Sequence, residues 1–257
     1  MGVLLEAKNV TMQFGGLKAV DCVDMSIQEG EIRALIGPNG AGKTTFFNVI
    51  SGIYIPTAGV VEFDGIDITK LKPHKVTAHG IARTFQNIQL FDTLSALQNV
   101  MVGRHIETKS GVWATLLHTP KMKREENLCR EKSREILEFV GLSNYESTLA
   151  GNLPYGRKRT LEIARALASE PKIIMLDEPC AGMNPTETGE LINLIYKIRD
   201  SGVTVLLVEH NMRVAMGVSD LVTVLDHGQK ICEGVPEEVQ NTPQVIEAYL
   251  GKEEAEL

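Results

Sequence analysis

The stretch Ile32–Ser51 constrains the fold more than any other part of the chain. An apolar run, Ile32 to Ile36, stops at Gly37-Pro38-Asn39-Gly40-Ala41-Gly42-Lys43-Thr44-Thr45, and a helix-like segment follows. The spacing matches G-x-x-x-x-G-K-[ST], a loop that cradles phosphates between a strand and a helix. Without Cβ atoms at 37, 40 and 42, the backbone can take unusual dihedrals and bring a row of N–H donors close to phosphate oxygens. A helix beginning near Gly42 adds the positive end of its dipole. Lys43 is then placed to neutralise charge between β- and γ-phosphates, and the Thr44 hydroxyl to ligate Mg²⁺. The motif predicts a nucleoside triphosphate ligand.

Length and composition set the surroundings of that loop. At 257 residues the chain can bury a full core, as one large domain or as a domain with an inserted lobe. A net charge of −7 provides no electrostatic footprint for nucleic acid, which counts against a DNA or RNA partner. Cys22, Cys129, Cys180 and Cys232 are far apart, without zinc spacing, and read as reduced, mostly packed thiols. Cys180 lies close in sequence to the acidic pair discussed below, so a thiol reagent is expected to inhibit there. The N-terminus lacks the zones of a signal peptide and no window approaches 18 uncharged apolar residues, so the chain is expected to be soluble.

Along the chain, Leu4 to Thr11 and Asp21 to Ile27 alternate apolar with polar residues, which predicts two half-exposed strands joined through Gly15-Gly16. Gly59 to Asp64 and Ile66 to Ile68 predict a hairpin turning at Asp64-Gly65, completing an antiparallel sheet beside the phosphate loop. From Leu90 to Ala168 the period becomes helical: a short helix over Ser95–Val102, and a long charged one over Lys121–Val140 that buries Ile136, Leu137, Phe139 and Val140. Between them, Gly103 to Pro120 is expected to be an insertion holding the only tryptophan, Trp113, in a small satellite core or as a docking point. Ile173 to Leu176 is a continuous apolar run, as in a parallel strand buried on both faces. Then come a helix over Pro185–Asp200 capped by Asn184, a strand over Thr204–Val208, a helix from Asn211, and a hairpin around His227-Gly228. The acidic tail, Gly251 to Leu257, is expected to fray.

The second group of chemical residues ends the buried strand: Ile173-Ile174-Met175-Leu176-Asp177-Glu178-Pro179. A carboxylate at the tip of a parallel strand next to the phosphate loop can give Mg²⁺ its second protein contact, the role assigned to Asp177. Glu178 can act on the attacking water, as general base or as the group that polarises it. Upstream, Gly151-Asn152-Leu153-Pro154-Tyr155-Gly156-Arg157-Lys158-Arg159 precedes a helix, Thr160 to Ala168.

In this order the motifs resemble those of the ATP-binding-cassette ATPases, whose signature loop reads L-S-G-G-Q at the place of Leu153 to Arg157. Leu153 and Gly156 match; Pro154, Tyr155 and Arg157 replace the serine, first glycine and glutamine. The Leu-Pro-Tyr-Gly form is similar to that of one subgroup, the ATPases of branched-chain amino-acid importers, with urea or amide importers and a lipopolysaccharide-export ATPase as close alternatives. The resemblance implies an α/β P-loop cassette: a mixed-sheet core with an antiparallel β subdomain (1–89 and 169–257) and an inserted α-helical signature subdomain (90–168). It also implies ATP and Mg²⁺, with the signature loop closing on ATP bound to a second cassette subunit. Gln86, after the strand-like Ile81 to Phe85, matches the family's glutamine that meets Mg²⁺ or the water. His210 matches its switch histidine, and Ala181-Gly182-Met183-Asn184 stands at its dimer-contacting loop. Phe14 aligns with the aromatic that stacks on adenine; an ordinary core phenylalanine is the competing reading. The partners implied are integral membrane permease subunits and, indirectly, an extracytoplasmic solute-binding protein, with this chain peripheral at the cytoplasmic face of the inner membrane. In this reading Gln86 and residues 87–120 form the coupling surface.

The basic clusters Lys121-Met122-Lys123-Arg124 and Arg157-Lys158-Arg159 are read as solvated helix faces, with contact to a membrane subunit or acidic headgroups as the alternative. A nucleic-acid cassette would usually carry long coiled coils or two cassettes in one chain, and this chain has neither. A GTPase should carry N-K-x-D for guanine, which is missing, and no small-molecule kinase explains Leu153–Arg157 followed by Asp177-Glu178 and His210.

Overall fold

A computed structural model describes residues 2–104 and 120–253, the side chains of 120–122 and 250–253 excepted. The chain opens with two long strands, β1 (Val3–Phe14) and β2 (Leu17–Gln28), paired antiparallel through Gly15-Gly16. After β3 (Ile32–Ile36) and helix α1 (Lys43–Ile50), β4 (Ala58–Phe63) and the short β5 (Ile66–Asp67) turn through Asp64 and Gly65. Both turn residues have positive φ, 50° and 72°, as a two-residue hairpin loop of matching twist requires. These strands form the expected antiparallel sheet, in the order β2-β1-β4-β5.

The second sheet holds the chemistry. Its order is β10-β9-β3-β8-β7-β6, with β6 (Ile81–Arg83), β7 (Ile173–Asp177), β8 (Thr204–Val208) and β9 (Leu221–Asp226) parallel to β3, and β10 (Gln229–Gly234) antiparallel at the edge. Every residue of β3, β7 and β8 is buried. Alternate side chains serve two cores: Ile174, Leu176, Val205 and Leu207 face the helices, while Ile173, Met175, Leu206 and Val208 face α1 and the antiparallel sheet. Burial on both faces is why these strands read as continuous apolar runs rather than alternating ones.

The helical segment contains α3 (Ala96–Gly103), α4 (Pro120–Phe139) and α5 (Tyr155–Leu167), after the small α2 (Pro73–Ala78). Ser95 and Gln98 close a capping box on α3. Leu137 and Val140 are buried and Ile136 and Phe139 half-buried, as the helical period predicts. A second capping box, Asn184 with Glu187, starts α6 (Pro185–Asp200), and Asn211 caps α7 (Met212–Val218). The chain ends in α8 (Pro236–Gln240) and α9 (Pro243–Glu253).

Three expectations change. Asp177 does not lie on a strand adjacent to β3, because β8 runs between them, pairing with both. Helix α5 begins at Tyr155 rather than Thr160, so the first turn of the helix includes most of the signature segment. And Arg159 is not on a solvated face: it is fully buried, whereas Lys123 and Arg124 are exposed as expected. Residues 105–119, Trp113 among them, and 254–257 lie outside the described residues. Gly251 to Glu253, expected to fray, close α9.

Candidate functional site

The parallel strands deliver their loops to one edge of the sheet, where the carboxyl ends of α/β strands leave a crevice. β3 runs into the phosphate loop, β8 into Glu209 and His210, β7 into Asp177 and Glu178, and β6 towards Gln86. The phosphate loop is shaped by backbone that only glycine tolerates. Gly37 (φ 150°) would place a Cβ 2.0 Å from the Leu225 carbonyl oxygen, and Gly42 (φ 98°) one 2.3 Å from that of Ala19. The loop is thus pressed against β2 and the end of β9, and Gly228 N–H donates to Ala41 O at 3.0 Å. Pro38 and Ala41 are buried, Asn39, Gly40 and Thr44 exposed, and Thr45 half-buried. Lys43, only 7% exposed, folds its ammonium back onto the carbonyls of Gly37 (2.7 Å) and Pro38 (3.1 Å).

Three residues distant in sequence meet at one carboxylate oxygen. Oε2 of Glu178 accepts from Gln86 Nε2 at 3.2 Å and lies 3.6 Å from His210 Nδ1. Glu178 itself has φ 46°, the left-handed conformation that costs a branched or long side chain about 1–3 kcal/mol and recurs at functional sites. Its N–H donates to Val208 O, so β8 holds it there.

Asp177 is 3% exposed, and its Oδ2 accepts from Arg83 Nη2 at 3.1 Å. Burial pushes the Asp177 carboxyl above the ordinary carboxylate range, and Arg83 pulls it back. Arg83 also donates to Asn48 Oδ1 and Ser51 Oγ on and just after α1, and sits over the rings of Phe47 and Phe85. One guanidinium therefore ties the phosphate-loop helix to the strand of Asp177. Thr44 Oγ1 and one carboxylate are a hard, sparse donor set. Among the described residues no group of three His, Cys, Asp or Glu side chains could hold a metal alone. That set fits Mg²⁺, which usually keeps waters and phosphate oxygens among its ligands.

Phe14 is 44% exposed, which removes the core reading, and Tyr54 meets its ring edge-on at 5.4 Å. The signature segment packs against α6 instead of joining the phosphate loop's edge. Leu153 is buried and Pro154 exposed. The Tyr155 ring lies against Gly182, Gly156 against the Glu187 carboxylate, and Arg157 pairs with Glu190 at 3.2 Å. Tyr155 is 46% exposed. Beside Gln86, a groove of about 500 Å³ opens between Ile53, Val76, Phe85, Phe91, Val102 and Arg165.

Sequence reasoning passed over Arg83, Tyr54, Glu162 and Glu209, and it misplaced Arg159. For Arg159 a signal existed: with Gly156 and Ile163 it falls on one helical face, and both neighbours are buried. Glu209 is 1% exposed and accepts from Cys180 N–H at 3.1 Å. Burial, with Glu209 alongside, pushes the Cys180 thiol up to about 12.

Fold and crevice together define a P-loop ATPase of the cassette type. The family model "ABC transporter" matches residues 20–181, and the chain belongs to that family, as a nucleotide-binding, ATP-hydrolysing transporter subunit. A second model, "Branched-chain amino acid ATP-binding cassette transporter", matches residues 229–255. The high-affinity branched-chain amino acid transport ATP-binding protein BraF of Pseudomonas aeruginosa is 44% identical over 97% of this chain and 98% of its own length. Among solved structures, an ABC transporter cassette in its ADP conformation superposes with a TM-score of 0.86 at 34% identity, covering 98% of this chain and all of that one. A dimeric post-hydrolysis cassette bound to ADP and Pi has a TM-score of 0.75 at 27% identity, covering 91% and 99%. No helix among the described residues is long and apolar enough to cross a membrane.

Proposed function

We propose that this chain drives the import of branched-chain amino acids, leucine, isoleucine and valine, from the cytoplasmic face of the inner membrane. The observation that carries the solute is the full-length similarity to BraF, joined by the C-terminal match over 229–255. Residues 1–89 and 169–257 form the nucleotide-binding core, and 90–168 the helical lobe that carries the signature. The chain docks on integral permease subunits, which an extracytoplasmic binding protein supplies with solute. The apolar rim of the groove beside Gln86, with Phe85, Phe91 and Val102 each about 40–50% exposed, supports docking there.

The working unit is two cassettes, in line with the dimeric relative. The phosphate-loop N–H groups of 37–45 bind the polyphosphate of ATP, and Lys43 exchanges the carbonyls of Gly37 and Pro38 for its β- and γ-phosphates. Phe14 stacks on the base. The partner cassette closes the pocket with its own copy of Leu153–Arg157. The loss of the serine hydroxyl at Pro154 leaves the Gly156 N–H and the α5 N-terminus for that contact. Thr44, Asp177 and Gln86 would hold Mg²⁺, which when bound neutralises charge on the transferring phosphoryl group. Glu178 takes the proton of the attacking water or polarises it, while Gln86 and His210 fix its Oε2. Sandwiching between two chains makes ATP bind the closed state more tightly than the open one, and that differential affinity can drive a shape change.

The test is uptake of labelled leucine, isoleucine, valine and urea in cells with and without the gene. Loss of the three amino acids with urea uptake intact is the expected result. Unchanged leucine uptake, or loss of urea uptake alone, overturns the assignment.

A further inference from the structure

The buried ion pair Arg159–Glu162 on α5 lies outside the crevice chemistry, yet it grips the loop that leads to Gln86. The two side chains are 0% and 1% exposed and 3.0 Å apart. Arg159 Nη1 donates to the Phe85 carbonyl at 2.7 Å and Nη2 to the Gln86 carbonyl at 2.8 Å. Glu162 Oε1 accepts from the N–H groups of Phe85 (3.4 Å) and Gln89 (3.2 Å). Four hydrogen bonds thus bind one helix to the backbone on both sides of Gln86. The pair is an expensive means of filling space. A buried ion pair is often matched or bettered in stability by apolar side chains of similar volume, and here Arg159 Nε is buried without a partner. The geometry suits a rigid fork on two carbonyls, which a guanidinium makes and an ammonium does not.

The same helix begins with Tyr155 and Gly156, one turn before Arg159. Gln86 touches Glu178 of its own crevice, while in the dimer read above the first turn of α5 meets the nucleotide of the other cassette. We propose that Arg159 and Glu162 are positioning residues that join these two ends into one lever. They lock the Gln86 loop to the signature helix, so that the state of the γ-phosphate in one crevice sets the placement of the signature loop in the other. This rests on the dimer reading. Its consequence is that cooperativity between the two ATP sites depends on this pair.

The experiment uses the full chain carrying Glu162→Gln, Arg159→Lys or Arg159→Met. Three quantities are measured: the affinity of a fluorescent ATP analogue, the dependence of the ATPase rate on ATP, and the ATP-induced dimer by light scattering in a Glu178→Gln background. Measured at protein concentrations low enough to keep the chain monomeric, analogue affinity should stay within roughly twofold, since the phosphate loop is untouched. The kcat should fall about tenfold to hundredfold, as misplacing a group by about 1 Å can cost. Hydrolysis should become non-cooperative, with a Hill coefficient of about 1, and dimerisation should need more ATP. Arg159→Lys should fail like Arg159→Met although it keeps the charge. Glu162→Gln, nearly isosteric, covers the case in which the arginine variants do not fold. Parent-like kcat and cooperativity in Glu162→Gln, or a parallel loss of analogue binding and rate in it, overturns the proposal. A Glu178→Gln parent that dimerises normally, together with variants that dimerise equally well, overturns this proposal alone. A parent that stays monomeric with ATP at high concentration overturns the dimer reading and this proposal with it.

Discussion

The side-chain amide of Gln86 donates to Oε2 of Glu178 at 3.2 Å across 92 positions of sequence, and His210 approaches the same oxygen from β8. In the proposed mechanism this oxygen, bonded by Gln86 and approached by His210, is aimed at the attacking water. A shift of either loop changes its aim.

Glu178→Gln should lower ATP hydrolysis by about 10²–10⁴-fold, the usual worth of a general base or of a group that polarises the attacking water. Nucleotide binding should persist and a stable dimer should accumulate. Lys43→Ala should instead weaken binding itself, because it removes the cation that faces the phosphates. Calorimetric titration beside phosphate-release assays separates the two, and normal turnover in the glutamine variant would reject the role of Glu178.

Gly42→Ala tests the shape of the phosphate loop. The added Cβ would sit 2.3 Å from the Ala19 carbonyl at φ 98°, so the loop must move away from β2. The strained backbone alone costs about 1–3 kcal/mol. ATP affinity and melting temperature should both drop, whereas Gly189→Ala, in open space inside α6, should leave ATP affinity unchanged and raise the melting temperature, since alanine is the better helix former.

Phe14→Ala should weaken ATP binding by about 1–3 kcal/mol, the range for a base on an aromatic platform. With the ring 44% exposed, stability should change little. Equal affinity in the two proteins would return Phe14 to an ordinary surface residue.

Arg83→Met leaves Asp177 buried without its counter-charge, which should destabilise the fold by about 3 kcal/mol in urea unfolding at pH 8. Burial already holds the Asp177 carboxyl above its ordinary value, and losing Arg83 raises it further. A carboxyl raised on folding penalises the folded state above its folded pKa. The deficit should therefore shrink as pH falls through that value and Asp177 takes up a proton. A deficit independent of pH would show that Arg83 acts by packing alone.

Alkylation should spare Cys180. Its place beside the acidic pair suggested inhibition by thiol reagents, but a thiol pushed up to about 12 holds almost no thiolate at neutral pH. Exposed Cys22 should label first in a mass-spectrometric time course, with ATPase activity preserved. Inactivation in step with Cys180 labelling would contradict this.

The sequence by itself determined the local chemistry: the phosphate loop, the acidic pair ending β7, both hairpins, the cap at Asn184, and the doubly buried strands. Each is written in a short window, as glycine spacing, a helix-capping side chain or the apolar period, and short-range physics suffices to read it. What only the tertiary structure decided are relations across many residues. They are the insertion of β8 between β3 and β7, the meeting of Gln86, Glu178 and His210, the tie of Arg83 to Asp177, and the burial of Arg159 under the Gln86 loop. Charge in a helix reads as solvated unless a partner removes it from water. Here the partners are Glu162 and two backbone carbonyls more than 70 positions upstream, which chain folding alone brings within reach.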